Sequence, residues 1–222
     1  MAKSPVQFVA ECSFNKLYLI QSLEDGDLKT GTRLALDTLT PLCHQLGFGL
    51  TAYDVKNKAQ FLKVLDVIYN ECSNEQKPIY PILHLEIHGD HSGLGISPSN
   101  EDVTWAEFAD HCRKINRASK NNLFVVMAVC HGYQSILSVD IKDVTPFYIL
   151  IGPKRTVTAG YIEDHFPKFY ETLIRKQDID AAIQVIADEY RMYLSENCSS
   201  GLFSNTQRNC VSMKASGNAS KN

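Results

Sequence analysis

The segment Leu123–Cys130 (LFVVMAVC) is apolar almost throughout. A strand of that composition has no face suited to water, which implies burial on both faces of a sheet. The flanking sequence supplies what such a sheet needs. Lys16–Leu23 (KLYLIQSL) reads as a first strand, followed by the polar loop Glu24–Gly31. Thr32–Leu46 repeats leucine at helical spacing and ends against Gly47 and Gly49. Phe48–Val55 is the second strand, and Lys58–Cys72 a helix with Phe61, Leu62, Leu65 and Ile68 on one face. Ile79–His88 is the third strand and runs into a glycine-bearing turn, Gly89–Gly95. Thr104 and Glu107 form a capping box that opens a helix over Thr104–Arg117. After Leu123–Cys130 comes a fifth strand, Phe147–Gly152, and then helices at Tyr161–Arg175 and Asp180–Leu194. Strands alternating with helices predict an α/β domain: a mostly parallel central sheet with helices on both faces.

At 222 residues and 44% hydrophobic content, the chain suits one domain over residues 1–196, with a Ser-, Asn-, Lys- and Gly-rich tail at 197–222 expected to be mobile. A net charge of −3 offers no basic excess for nucleic acid. The start, MAKSPVQFVAECSFNK, lacks the apolar core of a signal peptide, and no stretch approaches the roughly 18 apolar residues of a membrane span. The expectation is a cytoplasmic protein with no membrane partner. Its seven cysteines are scattered and form no CxxC pair, which argues against a zinc knuckle; several suit the core. EDGDLKTGTR, after the first strand, lacks both phosphate-loop patterns, so no nucleotide or other cofactor is expected.

In parallel sheets, ligands bind beyond the carboxyl ends of the strands. Two ends carry reactive side chains here: His88-Gly89 after the third strand and Cys130-His131-Gly132 after the fourth. A thiol attacks as thiolate, or when a base within hydrogen-bond reach takes its proton. If the two strands are neighbours, about 4.8 Å apart, His88 can serve as that base for Cys130. The backbone N–H groups of Gly89 and Cys130 are candidates to hold a developing oxyanion. Gly132 lets a substrate backbone approach. Other assignments stay open. His84, Glu86 and His88 share one strand face and, with His91 nearby, form the ligand set of an alternative metal-dependent hydrolase. His131 is a second choice of base. His44, His111 and His165 fall on helices and suit surface or capping roles, and Trp105 suits a packing anchor.

Ile87-His88-Gly89 and Ala128-Val129-Cys130-His131-Gly132 resemble the histidine and cysteine motifs of caspase-like (clan CD) cysteine peptidases. The caspase pattern Q-A-C-[RQG]-G has its histidine about 50 residues upstream; here the separation is 42 (130 − 88). Ile151-Gly152, Phe169-Tyr170, Leu173 and Asp178–Ile183 resemble the closing helices of bacterial CHAT-type domains of the same clan. The resemblance implies a caspase-like three-layer sandwich and a cysteine endopeptidase. Cys130 would form an acyl-enzyme with a protein substrate, and His88 would act as base and then protonate the leaving amine. It also implies an activating protein partner in a bacterial stress or antiviral defence pathway. That family needs no third catalytic residue, although Glu86 or Asp90 is a candidate to orient the imidazole. The sequence departs from caspases in two ways. Ala128 stands where they place a glutamine, and the loop after the first strand carries Glu24, Asp25 and Asp27 with no arginine before Arg33. Aspartate specificity is therefore not expected, and Asp25 and Asp27 become candidates to bind a basic P1 side chain. Caspase-like folds also occur as inactive scaffolds, which is the non-enzymatic alternative.

Overall fold

The computed structural model describes residues 13–97, 99–138 and 144–195. The tail at 197–222 and Cys12, Cys198 and Cys210 lie outside the described residues. The described strands are β1 (Lys16–Ser22), β2 (Gly49–Asp54), β3 (Pro81–Gly89), β4 (Gly93–Ile96), β5 (Glu101–Thr104), β6 (Phe124–Met127), β7 (Ile149–Pro153) and β8 (Tyr190–Leu194). The main sheet runs β2-β1-β3-β6-β7-β8. Its first five strands are parallel, and β8 closes the edge antiparallel to β7.

Helices cover both faces, as the apolar β6 requires. One face holds a helical run from Thr30 to Leu46, together with α5 (Ala159–Tyr170) and α6 (Ile179–Ile186). That run is α1 (Thr30–Arg33), a π-helical stretch (Leu34–Leu39) and α2 (Thr40–Leu46). The other face holds α3 (Lys58–Cys72) and α4 (Trp105–Ala118). Alternation divides each strand between the two cores. Ile82, Phe124 and Val126 face the first, while Leu83, Leu85, Val125 and Met127 face the second. Each of these side chains is essentially inaccessible, worth about 1.5–3 kcal/mol in removed apolar surface. The helix starts follow their sequence signals. Asn57 accepts from Gln60 N, Thr104 from Glu107 N, Thr158 from Tyr161 N and Asp178 from Ala181 N.

Three readings are corrected. The glycine turn at 89–95 contains the first strand of a hairpin, in which β4 pairs with both the end of β3 and β5. The helix expected over Asp180–Leu194 stops at Ile186, and Tyr190–Leu194 is β8. YRMYL suits either period, and the open edge of β7 decides it. Finally, the strand ending at Cys130 stops at Met127, and a 3₁₀-helix over Gly132–Ser138 follows.

The strand order reverses between β1 and β3: the chain leaves β1 toward β2, then returns through α3 to β1's other side. In open α/β sheets the crevice at such a reversal, beyond the carboxyl ends, is where ligands bind.

Candidate active site

β3 and β6 are adjacent and parallel, with Leu85 opposite Met127. His88 lies three residues beyond Leu85 in β3, and Cys130 three beyond Met127 in the turn that follows β6, so both stand past the paired stretch at the carboxyl end. The approach is close at the backbone. A Cβ on Gly89 would stand 2.8 Å from the carbonyl oxygen of Cys130 and 2.4 Å from Cγ1 of Val129. Only glycine fits there.

The cysteine sits on a tightly fixed turn. His131, the next residue, is in the left-handed region at φ 58°. Its N–H donates to Arg155 O, and Gly132 N–H donates to Val129 O. Gly132 and Tyr133 press against Gly152 of β7, where a Cβ would lie 2.8 Å from Tyr133 N. The N–H of Cys130 itself donates to no described residue. It therefore has no partner among the described residues that an oxyanion would have to displace. Gly89, the other expected donor, lies opposite Leu94 in a pair that exchanges no ladder hydrogen bonds, since the bonded pair is Asp90 with Gly93.

Cys130 is also the one reachable thiol among the described cysteines. Cys43, Cys72 and Cys112 are buried, Cys130 half-buried. Burial pushes the Cys43 thiol up to about 11 and Cys72 to about 12, and moves Cys112 well above its usual range. Such thiols are inert at neutral pH. The Cys130 Sγ–H points at the carbonyl of Val157, 3.7 Å away, on the face that carries α5.

His88 is held from a third element. Its Nε2 lies 2.8 Å from Oδ2 of Asp27, in the loop between β1 and α1. A carboxylate only accepts, so Nε2 carries a proton, and the lone pair that a base needs can lie only on Nδ1. The hydrogen bond from His88 lowers the Asp27 carboxyl below its ordinary value, which keeps it ionised. The same Oδ2 accepts from Glu24 N, and Lys29 Nζ clamps the loop through the carbonyls of Leu23 and Glu24. Asp27, a candidate for a basic P1 side chain, therefore faces the histidine. Asp25 beside it is exposed and bonds to no described residue. Neither Glu86 nor Asp90 orients His88. Asp90 Oδ1 is taken up by Ser92 and Gly93, and Glu86 turns inward.

The three residues on one face of β3 have separate fates. His84 and Glu86 are 0% and 1% exposed, whereas the His88 side chain is 54% exposed. His84 Nδ1 lies 2.8 Å from Tyr170 OH, and its Nε2 lies 3.2 Å from Glu86 Oε1. Glu86 Oε2 accepts from Thr30 Oγ1. Both histidine nitrogens and both carboxylate oxygens are thus engaged within the protein. No group of three or more His, Cys, Asp or Glu among the described residues is arranged to hold a metal ion. His131 Nδ1 donates to Lys154 O and its ring lies 4.1 Å from that of His91. His165 is stacked on Tyr161, and Trp105 is buried at the start of α4.

No protein-family model and no curated protein matches this chain. Among the solved structures similar to it are two cysteine proteases. One is a secreted C11 cysteine protease from Bacteroides thetaiotaomicron in complex with an irreversible peptide inhibitor, at 10% identity and a TM-score of 0.47. That match covers 79% of this chain and 57% of the protease, so the chain spans little over half of that protein. The other is caspase-1 from Spodoptera frugiperda, at 17% identity, TM-score 0.48 and 85% coverage of both chains. At this similarity neither bears on the chemistry of the site. The membrane expectation reaches only this far: no helix among the described residues is long and apolar enough to cross a bilayer.

Proposed function

We propose that the chain is a caspase-like cysteine endopeptidase in which Cys130 is the nucleophile, His88 the base and Asp27 the residue that holds the base. One observation carries this reading. On the strand next to β6, one residue before the glycine that packs against the Cys130 carbonyl, stands an exposed histidine whose Nε2 is tied to a carboxylate and whose Nδ1 is open. That arrangement supplies what thiol activation needs: a lone pair of fixed orientation on the strand next to the accessible thiol among the described cysteines. Nδ1 takes the Cys130 proton as sulfur attacks the scissile carbonyl. The oxyanion forms beside the unpartnered N–H of Cys130. His88 then returns the proton to the leaving amine, and water hydrolyses the thioester.

The resting Sγ–H faces Val157 O rather than His88, so attack requires a turn about the Cys130 side chain. This favours an enzyme completed by a partner or a bound substrate over one that is constantly active. The same contact favours the second reading, an inactive scaffold. The two motifs support a place near CHAT-type domains, in the cytoplasm of a bacterium, within a defence or stress pathway. Asp25 remains the candidate for a basic P1 residue.

A cysteine-directed activity probe, followed by mass spectrometry of the labelled peptide, tests the reading. Wild type is expected to label at Cys130, with labelling lost in Cys130→Ala and reduced in His88→Ala, and indifferent to chelator. Uniform labelling that ignores His88 overturns the dyad, and loss with chelator restores the metal reading.

A further inference from the structure

Tyr190 opens β8, opposite Pro153 at the end of β7, beside the loop whose Val157 carbonyl receives the Cys130 thiol. Its ring is wedged against Tyr161 and Phe166 of α5. The residue is 2% exposed, yet its hydroxyl has no hydrogen-bond partner. Leaving a buried hydroxyl unpaired costs about 1–3 kcal/mol, so such a group calls for an occasion on which it is used.

Ionisation of Cys130 provides that occasion. As a thiol, Cys130 donates to Val157 O; as a thiolate it has nothing to donate and needs donors. The buried carboxylate of Glu86 lies on the same sheet face and opposes a second negative charge. We propose that the Tyr190 hydroxyl is a positioning donor for the nucleophile, hydrogen-bonding the Cys130 sulfur once the proton has left for His88. The proposal rests on Cys130 being the nucleophile.

The surrounding charges fit this role. Burial, with Glu86, Tyr161, Cys130 and Glu189 adding to it, pushes the Tyr190 phenol well above its ordinary range. It therefore keeps its proton, and its capacity to donate, wherever a thiol titrates. The other titratable groups about the pair are His88 from β3, His131 after Cys130, Lys154 and Arg155 from the loop after β7, Asp188 next to Glu189, and His165 stacked on Tyr161. Arg155 is already bound to Glu189, and His131 to Lys154 O. None of them offers the sulfur a buried neutral donor; the Tyr161 hydroxyl, likewise buried and without a partner, is the competing one.

The test is the pH dependence of Cys130 alkylation by iodoacetamide in the full chain, read by mass spectrometry for wild type, Tyr190→Phe, Tyr161→Phe and His88→Ala. Tyr190→Phe keeps the ring and removes only an unpartnered hydroxyl, so its melting temperature is expected to match wild type. Its alkylation profile is expected to move to higher pH by about one unit, a roughly tenfold slower reaction near neutrality. Tyr161→Phe is expected to leave the profile in place. Coincident profiles for Tyr190→Phe and wild type overturn the proposal, as does an equal shift in Tyr161→Phe. Coincident profiles for His88→Ala and wild type instead overturn the dyad, so the two failures are separable.

Discussion

Asp27 and His88 are 61 residues apart in the chain and meet at 2.8 Å. Because the carboxylate fixes the tautomer, Asp27→Asn is expected to slow peptide hydrolysis by about 10- to 100-fold with little change in KM, measured as kcat on a cleaved peptide. The pH dependence has a definite sign. The Asp27 carboxyl is lowered by its hydrogen bond from His88, so the contact contributes above the unfolded value of about 3.9 and is lost as pH falls through the folded value. NMR titration is expected to show the His88 ring resonances moving with Asp27 in that acid range; a His88 ring that ignores it would separate the two residues. Gly89→Ala forces a Cβ into the Cys130 carbonyl, with an expected loss of about 1–3 kcal/mol in thermal unfolding and slower Cys130 labelling. His88 and Cys130 stand out in the sequence because each ends an apolar run, but the turn that carries the cysteine past Met127 has no local signal. Asp27 was legible only as an acidic residue in a polar loop. Its role depends on how Glu24 N and Lys29 fold that loop, which no local pattern encodes.

At the scale of elements, the capped helices were the easiest to read and β8 the hardest. α3 begins and ends where its periodicity predicts, and α4 begins one residue after its capping threonine. Thr104→Ala is expected to cost about 1 kcal/mol, seen as a lower melting temperature with no change in Cys130 reactivity, because α4 lies on the face away from the thiol. The β8 sequence fits a helix as well as a strand, because a short amphipathic segment at an edge is settled by its neighbour. Its pairing with β7 is a tertiary fact. The hairpin β4–β5 was hidden for a similar reason. Gly93 and Gly95 read as turn residues, yet a Cβ on Gly93 would stand 2.2 Å from Val103 O, so this glycine marks strands in close contact.

For the molecule as a whole, the sheet order was the inference that mattered, since adjacency of β3 and β6 is what joins the two motifs. The apolar run in β6 made an α/β architecture with two covered faces legible, because no other arrangement buries both its sides. The central strands β1, β3 and β6 are expected to hold the slowest-exchanging amides in hydrogen exchange, and β8 at the edge faster ones. Beneath the site, Tyr170, His84, Glu86 and Thr30 link α5, β3 and α1 in one chain of polar contacts with no solvent access at its centre. Replacing any one strands its neighbour in the core at about 1–3 kcal/mol. Sequence drift at these four positions is therefore locked together. A lineage of such proteins can leave this set only by changing partners in concert, and chains that differ at one of the four should differ at another.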